Sequence, residues 1–253
     1  VIDFFYRNKA DVNHADQNGM TPIMMAVESN SNMDSIRALI RYGADLKAKT
    51  NSGATPLMLA SANQNNEIGV FLLSYGVIDI SAKDNDQQTA LMWALYPNKN
   101  PELYETLLRL GADVDVANKK GTTPLMFVAS SEDYDSLLDM TLEAKPDLNA
   151  RDVSGKTAML RAAGSNENPI SVLKLIQAGA LINMPDYSGV TPLMKAVSTN
   201  SNTSIVEVLL ENQASVSAVD KQGRTALMWA ASFGEHISNI DRLIKAGANV
   251  NAK

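Results

Sequence analysis

Seven short segments of the chain share one arrangement of hydrophobic and polar positions. Each segment begins with a threonine, and apolar residues predominate two, five and six positions after it. A helix turns by about 100° per residue, so these three positions point in nearly the same direction. The pattern therefore predicts a short amphipathic helix after each threonine, and these threonines are Thr21, Thr55, Thr89, Thr123, Thr157, Thr191 and Thr225.

The threonines recur at a period of 34 residues, and the hexapeptide "TALMWA" occurs word for word at Thr89–Ala94 and Thr225–Ala230. A fixed period of this size indicates a repeat solenoid. A glycine precedes six of the seven threonines by two positions, where we predict a turn with positive φ. Gln87 stands at this position in the third segment, and we expect its turn to be distorted.

A second helix is predicted in each segment from the asparagines that follow the first. Asparagine caps a helix because its side chain accepts a hydrogen bond from a free backbone N–H group. The predicted caps lie eleven positions after the threonine, at Asn32, Asn66, Asn100, Asn168 and Asn202. Residues nine positions after the threonine are predicted to end the first helix in the left-handed conformation, and these are Asn30, Asn98, Asn166, Asn200 and Gly234.

The amino-acid sequences of these segments resemble the ankyrin repeat. The stretches "DQNGMTPIMMA" and "DYSGVTPLMKA" carry the resemblance, together with "YGADL", "LGADV" and "AGANVNA", and it covers nearly the whole chain. It implies an all-α solenoid of stacked helix-turn-helix units with β-turn fingers. Residues 1–253 would form a single ankyrin-repeat domain, with a partial repeat at 1–15 and full repeats from about 16, 50, 84, 118, 152, 186 and 220.

In an ankyrin stack the first helices and fingers line the concave side, and the residue four positions after each threonine points away from the core. This row of residues contains the aromatic and basic types that are enriched at interface hot spots. The resemblance therefore implies that a partner protein binds in the groove, through Trp93, Phe127 and Trp229 as apolar anchors and Arg161 and Lys195 as charge contacts. Tyr96 and Phe233 lie nearby. Alternatively, each tryptophan packs flat on small residues of the next repeat.

The predicted finger tips carry a positive stripe on a chain whose net charge is −6. The stripe consists of Arg161 and Lys195 together with the basic residues of the finger tips, which are Lys119, Lys120, Lys156, Lys221 and Arg224. Tyr187 lies in the tip of the sixth repeat. Two interpretations stay open. The charges either keep the protein soluble or steer an acidic segment of a partner protein toward the groove.

No residue pattern predicts chemistry. The chain has no cysteine, and its two histidines, His14 and His236, lie too far apart in a stack to share a metal ion or a proton. Methionines recur three positions after the threonines, where core packing explains them better than copper binding. Phosphate-binding glycine loops and known catalytic motifs are absent. We therefore predict no enzymatic activity, no cofactor and no metal site.

The prediction for function is a monomeric, non-catalytic protein–protein interaction module, a scaffold or adaptor. Its acidic balance argues against a nucleic-acid partner, and no apolar run is long enough for membrane insertion. Two alternatives stay open: a structural spacer within a larger protein that has no groove ligand, and a secreted effector that engages a host protein. The composition fits a soluble cytoplasmic protein, but residue 1 is Val, so the N-terminus looks truncated and export stays open.

Overall fold

Helices in pairs form the architecture, and each pair follows one of the seven threonines. The computed structural model describes residues 11–29, 32–63, 65–96, 99–200, 202–233 and 237–252. The first helices are α1 Pro22–Glu28, α3 Pro56–Ser61, α5 Ala90–Trp93, α7 Pro124–Val128, α9 Ala158–Ser165, α11 Pro192–Thr199 and α13 Ala226–Phe233. The second helices are α2 Met33–Arg41, α4 Asn66–Leu73, α6 Pro101–Arg109, α8 Asp135–Glu143, α10 Pro169–Ala178, α12 Ser204–Glu211 and α14 Ile237–Lys245. The predicted all-α repeat fold is confirmed.

The helices divide between two compact units, residues 1–119 and 120–253. In the first unit α3 packs between α1 and α5, and the second helix α4 packs on α6. In the second unit α11 packs between α9 and α13, while α10 packs between α8 and α12. Each unit is therefore a double row, in which first helices lie beside first helices and second helices beside second helices.

The repeated threonine and the residues after it build the start of each first helix. Thr191 caps α11 by accepting a hydrogen bond from the N–H of Met194, and Pro192 occupies the first turn, where it has no N–H to leave unpaired. The Met194 thioether in turn accepts a hydrogen bond from the Thr191 N–H at 3.5 Å. Leu193, Met194 and Ala196 are each at most 1% exposed. The residues that recur from repeat to repeat are therefore the buried ones, as predicted.

The six finger glycines adopt positive φ, as predicted, and five of them also allow close packing against the next finger. A Cβ atom on Gly19 or Gly53 would lie 2.8 Å from the backbone nitrogen of Asn51 or Asn85 in the next finger. The expected distortion at Gln87 is wrong. Gln87 itself adopts φ of 62° and donates its N–H to the Asp84 carbonyl at 3.0 Å, which preserves the turn.

The asparagines at the ends of the first helices have a different role from the predicted one. Asn166 and Asn200 have extended backbones, with φ of −91° and −93°, so the expected left-handed conformation is wrong. Their buried side chains instead join neighbouring repeats, because the Asn200 amide donates to the carbonyls of Ala163 and Asn166. Three further members of this prediction lie outside the described residues, namely Asn30, Asn98 and Gly234.

The predicted caps of the second helices are correct at three positions and displaced at two. Asn32, Asn100 and Asn168 accept hydrogen bonds from backbone N–H groups of the helices that they precede. Asn65 caps α4 in place of Asn66, and Asn202 lies one residue further from its helix than predicted, although it accepts the Ser204 N–H.

Backbone hydrogen bonds tie each finger to the next within a unit. In the first unit the Lys119 N–H donates to the Asp86 carbonyl at 2.9 Å. In the second unit the Tyr187 N–H donates to Ser154 at 3.1 Å, and the Lys221 N–H donates to Ser188 at 3.0 Å. The finger tips are therefore held in register with the first helices, and the side chains at the tips project from a fixed backbone.

Candidate partner-binding site

Both tryptophans of the two TALMWA segments are half-buried, and each is hydrogen bonded to an aspartate of its own finger. The indole Nε1–H of Trp93 donates to Oδ2 of Asp84, and that of Trp229 donates to Oδ2 of Asp220, both at 2.9 Å. The other oxygen of each carboxylate accepts two backbone N–H groups of the finger turn, those of Gln222 and Arg224 in the case of Asp220. The aspartate therefore joins the finger to the helix and fixes the tryptophan ring.

Arg161 occupies the tryptophan position in the fifth repeat and makes the same connection. Its Nη2 atom donates to Oδ2 of Asp152 at 2.9 Å and to the Thr122 hydroxyl at 3.2 Å. The side chain is 27% exposed and the Asp152 carboxylate is 6% exposed. A carboxylate of its own repeat therefore already neutralises Arg161, so its role as a charge contact stays a prediction with little support from the geometry.

Hydrogen bonding controls the ionisation of two of these aspartates. Burial alone raises the pKa of Asp220, but hydrogen bonds from the Arg224 backbone, Trp229, the Arg224 side chain and Gln222 together lower it below the ordinary value. Burial likewise raises the pKa of Asp152. The backbone N–H groups of Lys156 and Ser154 and the Arg161 guanidinium outweigh that effect and lower the pKa. Both carboxylates are therefore held in the charged form.

These aspartates were absent from the predicted site, although the sequence contains a signal for them. An aspartate stands five positions before the threonine in every repeat that has Trp, Arg or Lys four positions after it. The repeats with Leu59 and Phe127 at that later position have Thr50 and Asn118 instead of an aspartate. Asp16, which accompanies Met25, departs from the pattern. Comparing these two positions across the repeats would have predicted the three observed pairs, together with a Lys195–Asp186 pair that does not form.

Four of the predicted site residues meet around one pocket of the second unit, with a volume of about 330 Å³. We call it the Trp229 pocket. Three positively charged side chains and one carboxylate contribute to its lining, beside apolar and neutral polar groups. The lining residues are Lys156, Leu160, Asp186, Ser188, Val190, Lys195, Gln222, Arg224 and Trp229.

Lys195 is half-buried in this lining because its aliphatic stem lies over a glycine. A Cβ atom on Gly164 of α9 would lie 2.6 Å from Cγ of Lys195, so only glycine leaves room for the stem. Burial lowers the pKa of Lys195, and the charge of Lys156 lowers it further, while Asp186 acts in the opposite direction. Lys195 thus has a destabilised ammonium group, with no hydrogen bond or ion pair to any residue in the described ranges.

Trp229 forms the aromatic wall of the pocket together with two neighbours. The Arg224 guanidinium carbon lies 4.5 Å from the indole centroid, and Nε of the same residue donates to Asp220 at 2.8 Å. Phe233, one turn further along α13, lies 5.3 Å from the indole between ring centroids and is 52% exposed. The predicted pair Trp229 and Phe233 therefore forms one aromatic surface.

The remaining predicted residues lie outside this cluster. Tyr187 is 52% exposed at its finger tip, where its ring stacks under the Arg151 guanidinium at 5.1 Å. In the first unit Tyr96 is 67% exposed. Phe127 is half-buried, and the side chains of the other basic tip residues are exposed, namely Lys119, Lys120 and Lys221.

The described part of the chain contains no group of three or more His, Cys, Asp or Glu side chains that could hold a metal ion. Of the helices described, none is long and apolar enough to cross a membrane. His236, one of the two histidines of the chain, lies outside the described residues.

Comparison with known proteins agrees with the repeat architecture. A family model for ankyrin repeats in sets of three copies matches residues 1–84, 32–118, 91–186 and 165–253. A search of curated proteins found no match to the chain. The overlapping matches run over the whole sequence, and the described helix pairs recur along it at the same period. The chain therefore belongs to the ankyrin-repeat family.

Proposed function

We propose that the chain is a non-catalytic interaction module, which binds a partner protein through the surface of its first helices and finger tips, the concave groove of an ankyrin stack. Ankyrin repeats are generally protein-interaction modules and generally not enzymes. The observation that carries the proposal is the surface formed by Trp229 and Phe233 beside the Trp229 pocket. It offers an exposed aromatic edge, cationic groups and a concavity in one place.

The hydrogen bond from Trp229 to Asp220 makes the tryptophan a better anchor. A side chain that is already fixed loses little conformational freedom when a partner binds, so more of its contact energy contributes to affinity. A scaffold role and a partner contact are therefore compatible for Trp229, whereas packing of the tryptophan on small residues of the next repeat stays a prediction. The indole N–H belongs to the scaffold, and the ring remains only half-buried and can contact a partner.

The charges around the pocket favour an acidic partner segment. Lys156 and Lys195 have no carboxylate hydrogen bonded to their ammonium groups within the described residues, whereas the rest of the chain brings the net charge to −6. A local positive surface on an acidic protein accelerates association with acidic segments and disfavours basic ones. Binding through this surface should weaken as salt concentration rises.

The test uses a displayed library of random linear peptides selected on the purified chain. The decisive variant is Trp229→Arg, because Arg161 already occupies the equivalent position with Asp152 and shows that arginine preserves the link to the finger. We expect peptides that contact the second unit to bind Trp229→Arg at least about tenfold more weakly, or about 1.4 kcal/mol. The unfolding midpoint should change little.

Trp93→Arg gives the same test in the first unit, where Asp84 would accept a hydrogen bond from the new arginine. Failure to enrich any peptide would support the spacer alternative. Enriched peptides with unchanged affinity for both arginine variants would remove the tryptophans from the binding site.

A further inference from the structure

The two TALMWA segments place the same tryptophan–aspartate pair in chemically different surroundings. Around Trp229 the neighbouring finger and helix positions carry Lys156, Lys195 and Arg224. The positions 136 residues earlier, which surround Trp93 in the repeat register, carry Met20, Leu59 and Gln88. The scaffold role of the tryptophan is satisfied in both places, so it does not require the three cationic side chains.

The Trp229 pocket has an excess of about one positive charge. Arg224 is neutralised by the fully buried Asp220 carboxylate at 2.8 Å. Lys156 and Lys195 remain, and Asp186 offsets one of them. Lys195 is the group with the most to gain from an anion, because burial and the nearby Lys156 both act against its ammonium form. A bound monoanion would balance this charge, whereas a dianion would overbalance it and face the Asp186 carboxylate.

The rest of the lining limits the size and polarity of a ligand. Leu160 and Val190 are buried apolar residues, and the Trp229 ring adds an aromatic wall. A volume of about 330 Å³ lies at the small end of the roughly 300–1,000 Å³ typical of ligand pockets. The space suits one side chain that has a short apolar stem and a single negative charge at its end.

We infer that the Trp229 pocket is a carboxylate subsite, which receives one glutamate side chain from an extended segment of the partner protein. The glutamate methylenes would lie against Leu160, Val190 and the indole, and its carboxylate would meet Lys195 and Lys156. This inference rests on the proposed function and makes it more specific, because it names the partner's chemistry at one position of the groove.

The subsite can be tested without a partner protein. The chain labelled with nitrogen-15 is titrated with a capped glutamate, N-acetyl-L-glutamate N-methylamide, and the two indole N–H resonances are followed by NMR. We expect a saturable shift at Trp229 and none at Trp93, which serves as the internal control. The corresponding capped glutamine should shift neither resonance, and capped phosphoserine should bind more weakly than glutamate.

Lys195→Leu is the matched variant, because Leu59 occupies the equivalent position beside Trp93 and shows that the fold accepts it. We expect about a tenfold loss of glutamate affinity, the effect of losing one charge-assisted hydrogen bond. Lys245→Leu removes the same charge from α14 and should have no effect. A helical circular dichroism spectrum like that of the parent chain would show that the variants are folded.

Equal shifts with glutamine, tighter binding of phosphoserine, or no shift at Trp229 with any probe would each overturn the subsite. These outcomes are distinct from failure of the proposed function. Displayed peptides that bind through Trp229 but carry no acidic residue would leave the interaction module in place and reject the glutamate subsite. Glutamate binding without any enriched peptide would reject the interaction module and leave only a pocket that binds carboxylates.

Discussion

The Trp229 indole N–H lies 2.9 Å from Oδ2 of Asp220, and this hydrogen bond connects a surface aromatic ring to a buried carboxylate. The same oxygen accepts the Arg224 Nε–H at 2.8 Å, while Oδ1 accepts two backbone N–H groups. Four donors therefore converge on one carboxylate. The finger turn, the position of the Arg224 side chain and the aromatic wall of the Trp229 pocket all depend on it.

Asp220→Asn should destabilise the seventh repeat by about 2–3 kcal/mol, because the new amide would direct its own N–H toward the donors of Trp229 and Arg224. Asp186→Asn is the matched control. Asp186 accepts the same two turn N–H groups, from Ser188 and Val190, but no described side chain donates to its other oxygen. Hydrogen exchange of the turn amides measures both variants. Equal losses of protection would show that the side-chain donors contribute nothing.

Trp93→Phe should destabilise the first unit, because the phenyl ring has no donor for the Asp84 carboxylate, which is 6% exposed. Adding Asp84→Asn should recover part of the loss, since Asn118 and Phe127 stand at these two positions in the fourth repeat. A double-mutant cycle in urea should give a coupling energy of about 1 kcal/mol. Strictly additive effects would mean that the hydrogen bond is energetically neutral.

Acid should weaken the second unit through Asp152 and Asp220, whose pKa values are lowered by their hydrogen bonds in the folded state. A lowered folded pKa contributes stability above the unfolded value of about 3.9, and that stability is lost as pH falls through the folded value. Unfolding free energy should therefore decline below about pH 4. The decline should be shallower in Asp152→Asn, measured from pH 6 downward, and an unchanged slope would contradict the assignment.

Gln213→Gly should stabilise the chain by about 0.5–1 kcal/mol. Gln213 ends α12 with φ of 67°, and Gly179 ends α10 at the equivalent position with φ of 100°. Each N–H donates to a carbonyl three residues earlier, at 3.1 Å and 2.9 Å. The reciprocal change Gly179→Gln supplies the control and should destabilise by a similar amount. Thermal unfolding of both variants tests the pair, and shifts of the same sign would exclude backbone conformation as the cause.

Period and spacing were sufficient to predict the repeat architecture. The threonine after each finger, the proline that follows it in four repeats and the methionine three positions later in six repeats act within a single helix turn, so their roles depend on local geometry that the sequence carries directly. The positive φ of the finger glycines was predictable for the same reason. The roles of Asn166 and Asn200 were not, because their amides bond to carbonyls of the preceding repeat, and only stacking brings those carbonyls into reach.

The sequence by itself determined the family, the helix pairs and the identity of the core residues, because a fixed period places the same residue types, and so the same local interactions, in every repeat. Tertiary structure decided which variable residues share a site. It placed Arg161 in an internal ion pair and brought Lys156, Lys195, Arg224 and Trp229, which come from three repeats, to one pocket. It also showed that the TALMWA tryptophan belongs to the scaffold through its N–H group, while its ring remains half-buried. These outcomes depend on distances between repeats, which no single repeat contains.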